Sequence, residues 1–173
     1  EGCVASMKTL IEDTRVQIEE LMKTHPTSVH IKNLQSLNLQ YAVTAVGIFS
    51  IFEADLQREL EADDGFRAVR ALLIERDESE LLERFDLFKH AINVLKHGAG
   101  RSYDALRQFD GSLPFLLKSS DQESFDEGDC TEIDTLILAD DEFVSNCAEI
   151  VYQVSDFVFD VKHPGRDDRF RDN

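Results

Sequence analysis

Residues that make tight turns are scarce in this chain. Among 173 residues there are 8 glycines and 3 prolines, whereas an all-β fold needs many such residues at its turns. After Pro26 the next proline is Pro114, so nothing in between interrupts a helix through a missing backbone N–H. This composition favours an all-α fold.

Cysteine is also scarce. The 3 cysteines, Cys3, Cys130 and Cys147, form no CxxC pair, which excludes a disulfide framework and a zinc ribbon. We therefore expect a reducing, cytoplasmic compartment and no bound cofactor or metal. The first residue is Glu and not Met, so the true start of the chain and a removed leader stay open.

Basic residues are outnumbered by acidic ones. The chain has 18 Lys and Arg against 35 Asp and Glu, a formal charge of −17, and residues 119–161 hold 13 acids and no base. Nucleic acids and anionic membrane surfaces are bound through positive charge. The balance disfavours binding to an anionic membrane surface and a large, non-specific nucleic-acid surface, and it leaves room for a small local basic site. We expect no membrane partner.

Long hydrophobic runs are absent. The longest apolar stretch covers residues 41–52 and spans 12 residues, whereas a membrane-spanning helix needs about 20. Because this stretch is apolar on all sides of a helix, it predicts the central buried helix of a bundle.

Apolar residues recur at steps of three and four along most of the chain, which is typical of amphipathic helices. The predicted helices cover residues 4–22, 28–60, 66–75, 77–97, 102–107 and 143–161. The segment 28–60 is either one long helix or two stacked ones. We expect one domain over residues 1–161, an all-α bundle of about five main helices. An acidic loop at about 119–132, a short extended piece over 133–138 and a polar tail over 162–173 complete the prediction.

Several residues are predicted to begin or end helices. Asp77, with Glu80 three residues later, resembles a capping box. Ser102, and Asp140 with Asp141 before the last helix, are the kinds of residue that cap helix N-termini. Gly98 is expected to end the helix over 77–97, because glycine is favoured just after a helix.

One helix carries a polar stripe opposite its apolar one. Its members, spaced three and four residues apart, are Glu83, Asp86, His90, Asn93 and His97, so all five lie on one helical face. The ordinary interpretation is a solvated outer face. However, residues 89–107 contain 4 basic residues and 1 acid, a local charge of +3 in a chain of −17.

A metal site is an alternative interpretation of the stripe. Asp86, His90 and His97 share a face, and a carboxylate and a histidine at i,i+4 can bind one ion. Glu53, after the apolar stretch, is the candidate for a further ligand. No HExxH motif is present, which favours instead a Glu53 paired with basic residues near the end of this helix.

Residues 90–106, HAINVLKHGAGRSYDAL, follow an apolar helix that ends in FSIFEADLQ. Together they resemble the HEPN superfamily, all-α domains of prokaryotic toxin and defence systems, over residues 27–107. The family signature is an Arg, usually followed by a polar residue such as Asn or His, and then a His four to six residues beyond the Arg. A Gly often follows this His. Asn93, His97 and Gly98 match the last three, while Ile92 stands where the family has Arg. Arg84 and His90 fit the spacing too, but no Gly follows His90.

The resemblance implies an RNA-directed homodimer, in its active form a metal-independent endoribonuclease. His97 would act as general acid or base beside Asn93, and Arg101 would supply the cation that stabilises charge on the phosphate. The expected binding residues are Lys96, His90, Tyr103 and Glu53. The alternative is a non-catalytic interaction module that binds a partner protein of a toxin or defence system. Ile92 and the charge of −17 favour this alternative, whereas the clustering of Asn93, Lys96, His97 and Arg101 favours the RNA-directed function.

Overall fold

The computed structural model describes residues 13, 16, 28–119 and 135–164. Within 28–119 the side chains are described from residue 36 onward. Five helices lie within the two long ranges: α1 Ser28–Leu60, α2 Gly65–Glu75, α3 Ser79–His97, α4 Arg101–Arg107 and α5 Asp141–Lys162. The all-α prediction is confirmed for these ranges. Most of the predicted helix over 4–22, the acidic loop and most of the polar tail lie outside the described residues.

Helix α1 is the central element, because it packs against α2, α3 and α5. Two groups of phenylalanines form much of the core of the bundle. The group between α1, α2 and α3 consists of Phe49, Phe52, Phe66 and Phe85. The group that joins α3 to α5 consists of Phe88, Phe115 and Phe143. Edge-to-face packing of this kind stabilises a core beyond the burial of ring area.

The apolar stretch of α1 is buried on one side only. Tyr41 and Phe49 are each 1% exposed, whereas Val43 is 63% and Ile51 is 68% exposed. The prediction of a helix covered all round is therefore wrong within the described residues. By length and composition alone the segment Ser36–Leu60 is also apolar enough to cross a membrane, a test that the core helix of a soluble protein passes as well.

Two of the predicted helix ends are confirmed. Gly98 follows α3 with a φ of 72°, and its N–H donates to the carbonyl of Val94. The positive φ explains the glycine, because residues with a Cβ rarely adopt it. Asp140 is the N-cap of α5, and its carboxylate accepts a 2.9 Å hydrogen bond from the N–H of Phe143.

Two other predicted caps are wrong. Helix α3 begins at Ser79 after Glu78, which makes no side-chain cap. Asp77 instead completes the turn that leaves α2, with a φ of 58° and its N–H bonded to the carbonyl of Ile74. Ser102 lies inside α4, whose N-cap is Gly100. Its hydroxyl lies 3.2 Å from Nδ1 of His90, so it joins α4 to α3 instead of capping.

The remaining local predictions concern the second half of the chain. An isolated antiparallel bridge pairs Leu117 with Ile137, which agrees with a short extended piece over 135–138; residues 133 and 134 of that prediction lie outside the described residues. Cys147 is fully buried in α5, and burial raises the pKa of its thiol to about 12. A thiol with this pKa stays protonated at neutral pH, so Cys147 is a packing residue and not a nucleophile.

Candidate functional site

A cleft of about 450 Å³ lies between α1, α2 and α3. Its lining residues are Phe49, Ser50, Glu53, Asp64, Phe66, Arg67, Arg70, Lys89, Ile92, Asn93 and Lys96. The buried side chains of Phe49 and Ile92 belong to the core, so its floor is fixed by the packing of the bundle. This volume lies in the range of about 300–1,000 Å³ that is typical of small-ligand sites.

The cleft is basic although the chain is acidic. Four cationic side chains line it, against two carboxylates, those of Glu53 and Asp64. The cations are Arg67 and Arg70 from α2 and Lys89 and Lys96 from α3. The described lining is therefore more cationic than the chain as a whole, which carries a net charge of −17, although Asp86 binds two of the four cations.

Asp86 holds two of the four cations in place. Its carboxylate accepts hydrogen bonds of 2.8 and 2.9 Å from Nε of Arg70, one of 2.7 Å from Nη2 of Arg70 and one of 2.9 Å from Nζ of Lys89. Burial alone would raise the pKa of Asp86, but the bonds from Arg70 and Lys89 outweigh it and lower that pKa. Arg70 and Lys89 therefore form a fixed wall of the cleft, with part of their charge already compensated.

The other two cations are available to a ligand. Arg67 and Lys96 are both exposed, and neither side chain has a hydrogen bond or ion pair with any residue that the structure describes. The backbone N–H of Arg67 donates a 2.8 Å hydrogen bond to Asp64, the N-cap of α2. This cap fixes the start of α2 and leaves the guanidinium of Arg67 able to move.

Glu53 contributes a carboxylate to the cleft, and Asn93 contributes a neutral amide. Both line the cleft and both are half-buried, Glu53 on α1 and Asn93 on α3. Within the described ranges neither side chain is hydrogen-bonded or ion-paired. The cleft thus combines cations with a carboxylate acceptor and an amide, which is both donor and acceptor.

The structure brings together three of the predicted site residues and leaves four outside the cleft. Asn93, Lys96 and Glu53 line it. His97 and Arg101 are exposed and are not among the lining residues. Of the three residues assigned a catalytic role from the resemblance, the cleft therefore contains Asn93 alone.

The other two predicted binding residues have structural partners. Nδ1 of His90 lies 3.2 Å from the hydroxyl of Ser102 on α4. Tyr103 is buried, and its hydroxyl donates a 3.0 Å hydrogen bond to the carbonyl of Lys118. Both residues attach α4 and the segment after it to the bundle.

The metal interpretation has no support among the described residues, where no group of three or more His, Cys, Asp or Glu is arranged to bind an ion. Asp86, which would have been a ligand, is occupied by Arg70 and Lys89. The expected pairing of Glu53 with a base is also not found, since no described cation lies within 4.0 Å of its carboxylate.

The sequence analysis missed Arg67 and Arg70. They lie three residues apart in GFRAVR, which is part of α2, so they share a helical face. Two arginines on one face of a short helix are a usable signal in a chain with 18 basic residues and 35 acidic ones. The segment 89–107 carries a local excess of positive charge in the sequence, but only the packing of α2 against α3 adds the two arginines to it.

His90 is expected to make folding stability depend on pH. Burial lowers its pKa below the ordinary 6.5, as do Lys89 and Arg70, while Asp86 opposes the shift in part. Because the folded state then binds the proton less readily than the unfolded state, stability is full above pH 6.5 and decreases as the pH falls through 6.5 towards the folded pKa. We expect urea unfolding at pH 7.5 and 5.5 to show a smaller loss for His90→Gln than for the unchanged chain. An equal loss would contradict the assignment.

Comparison with family models, curated proteins and solved structures gives no match to this chain. The site is therefore interpreted from its own chemistry. The resemblance to the HEPN superfamily stays a prediction from the residues that carry it.

Proposed function

We propose that this protein is a non-catalytic binding module that holds the phosphate group of a nucleotide or of an RNA end in the cleft between α1, α2 and α3. The observation that carries the proposal is the division of the four cations. Asp86 fixes Arg70 and Lys89 in one wall, whereas Arg67 and Lys96 have no side-chain partner among the described residues. In this arrangement Arg70 and Lys89 have fixed positions, and Arg67 and Lys96 can form charge-assisted hydrogen bonds with an anion.

Phosphate is the anion that fits this charge best. A terminal phosphate carries about −1.5 to −2 charges at neutral pH and three acceptor oxygens, so it can engage more than one cation at once. The guanidinium of Arg67 is planar and can donate two parallel hydrogen bonds to phosphate oxygens. Asn93 supplies an additional neutral donor at the same cleft.

Binding rather than cleavage is proposed because of the residues that line the cleft. Cutting RNA through its own 2′-hydroxyl needs a general base and a general acid within hydrogen-bonding reach of the reacting atoms. The acid–base histidine that the resemblance implies is not among the described lining residues, since His97 is exposed outside them. The endoribonuclease, the homodimer and the partner protein of a defence system stay predictions from the resemblance.

The double variant Arg67→Ala/Lys96→Ala is expected to lose phosphate binding. Each substitution removes a charge-assisted hydrogen bond to the ligand, so the affinity of the double variant for phosphate should fall about 10- to 100-fold. The measurement is isothermal titration of the full chain with inorganic phosphate and with a short 5′-phosphorylated RNA at 50 mM and 200 mM salt. Binding of the RNA should weaken with salt, because it depends on a few ionic contacts.

The matched control is Arg76→Ala/Arg107→Ala, which removes the same charge from exposed positions outside the cleft. If affinity depends on the cleft, this control keeps it nearly unchanged. Equal weakening in both double variants would show that only net charge matters. No binding of phosphate or RNA by the unchanged chain would overturn the proposed function.

A further inference from the structure

Glu53 is an unusual feature of a site for anions. Its carboxylate lies in the same cleft as four cationic side chains, and yet no described cation is within 4.0 Å of it. The fixed cations Arg70 and Lys89 are bonded to Asp86 instead. Glu53 is half-buried and is one of the residues that line the cleft.

This carboxylate limits which anions can bind. A carboxylate accepts hydrogen bonds and, when ionised, donates none, so a bare anion placed beside Glu53 would be repelled. A ligand that fits the whole cleft must bring a hydrogen-bond donor to Glu53 as well as negative charge to Arg67 and Lys96. The two cations without a described side-chain partner, Arg67 and Lys96, favour a ligand with more than one negative charge over a singly charged one.

A ribonucleotide has both properties. Its phosphate carries close to two negative charges, and its ribose carries hydroxyl donors a few bonds away. An acidic side chain that binds the 2′-hydroxyl of a ribose is a known solution in nucleotide sites. The 2′-hydroxyl is also the group by which a protein distinguishes ribose from deoxyribose.

We propose that Glu53 accepts a hydrogen bond from the ribose 2′-hydroxyl of the bound ligand, and that the cleft therefore selects ribonucleotides over deoxyribonucleotides. The inference rests on the proposed phosphate-binding function and adds a residue that determines specificity. Arg67 on α2 and Lys96 on α3 bind the phosphate, while Glu53 on α1 binds the ribose.

The test compares adenosine 5′-monophosphate with its 2′-deoxy form, which differ by this one hydroxyl. Titrations of the full chain, followed by NMR or calorimetry, should give about tenfold or greater preference for the ribonucleotide, because a hydrogen bond to a charged group is lost in the deoxy form. In Glu53→Gln the preference should fall to about twofold or less, since a neutral amide is a weaker acceptor. Inorganic phosphate should bind Glu53→Gln at least as tightly as it binds the unchanged chain.

The matched control is Glu83→Gln, which changes an exposed glutamate on α3 outside the cleft and should keep the full preference for ribose. Equal affinity of the unchanged chain for the two nucleotides would overturn the inference and leave phosphate binding intact. A preference that persists in Glu53→Gln would overturn the role of Glu53. If neither nucleotide nor phosphate binds, the proposed function itself fails.

Discussion

Replacing Phe85 by alanine is expected to lower the free energy of unfolding by about 3–5 kcal/mol, the usual cost of truncating a buried phenylalanine. Phe85 is 0% exposed. Its ring centroid lies 5.5 Å from that of Phe66 on α2 and 6.5 Å from that of Phe52 on α1. The cavity left by Phe85→Ala would therefore open at the junction of the three helices that form the cleft.

Urea unfolding followed by circular dichroism measures this loss. The control is Phe159→Ala, the same chemical change on α5 at a side chain that is 44% exposed. Substitutions at the surface usually change stability by no more than about 0.5 kcal/mol, so we expect the control to cost far less. Similar losses for both variants would contradict the placement of Phe85 at the centre of the core.

The position of Phe85 in the core could be predicted from the sequence, because helical periodicity is a strong local signal. Leu81, Phe85, Phe88, Ile92 and Leu95 follow one face of the predicted helix. The structure buries Phe85, Phe88 and Ile92 and leaves the two outer leucines half-buried. A pattern repeated over five positions determines a face even when the ends of the helix are misassigned.

Helix ends depend on single residues and were therefore predicted less well. Asp140 and Gly98 behave as their side chains suggest. Asp77 does not, because the chain must first complete the turn after α2, and its N–H bonds back to Ile74. The preference of aspartate for an N-cap amounts to about 1 kcal/mol, which the geometry of a neighbouring turn can outweigh.

The candidate site was predicted only in the part that lies on α3. Asn93 and Lys96 were identified from spacing and charge within one helix. Their partners Arg67 and Arg70 lie on α2, and the packing of the helices decides that they face the same cleft. Local spacing cannot supply this information.

The polar stripe of α3 also shows that spacing along one helix does not determine which residues form a site. The shared face predicts either a solvated surface or one common site, but packing divides its residues among different neighbours. Asp86 binds Arg70 of α2, His90 contacts Ser102 of α4, and Asn93 lines the cleft. A shared helical face therefore indicates common direction, and it does not indicate a common function.

Gly65 controls how closely α1 and α2 approach beside the cleft, so Gly65→Ala is expected to have the second large effect. A Cβ at this position would lie 2.7 Å from the carbonyl oxygen of Glu53, 2.8 Å from Cβ of Leu56 and 2.9 Å from the backbone nitrogen of Gln57. Two of these atoms belong to the backbone of α1, which cannot rotate away. The start of α2 must therefore move, at a cost of about 1–3 kcal/mol that is typical of overpacking.

The matched control for Gly65→Ala is Gly47→Ala. Gly47 lies in the interior of α1, and a Cβ added there meets nothing within 4 Å. Alanine is favoured over glycine inside a helix by about 0.8–1.0 kcal/mol, so urea unfolding should show the two variants shifting stability in opposite directions. Because Arg67 lies two residues after Gly65 and the clash involves Glu53, Gly65→Ala should also weaken phosphate binding while Gly47→Ala leaves it unchanged. Stabilisation by both substitutions would mean that α1 and α2 are not in close contact at Gly65, and the cleft would lose the feature that sets its width.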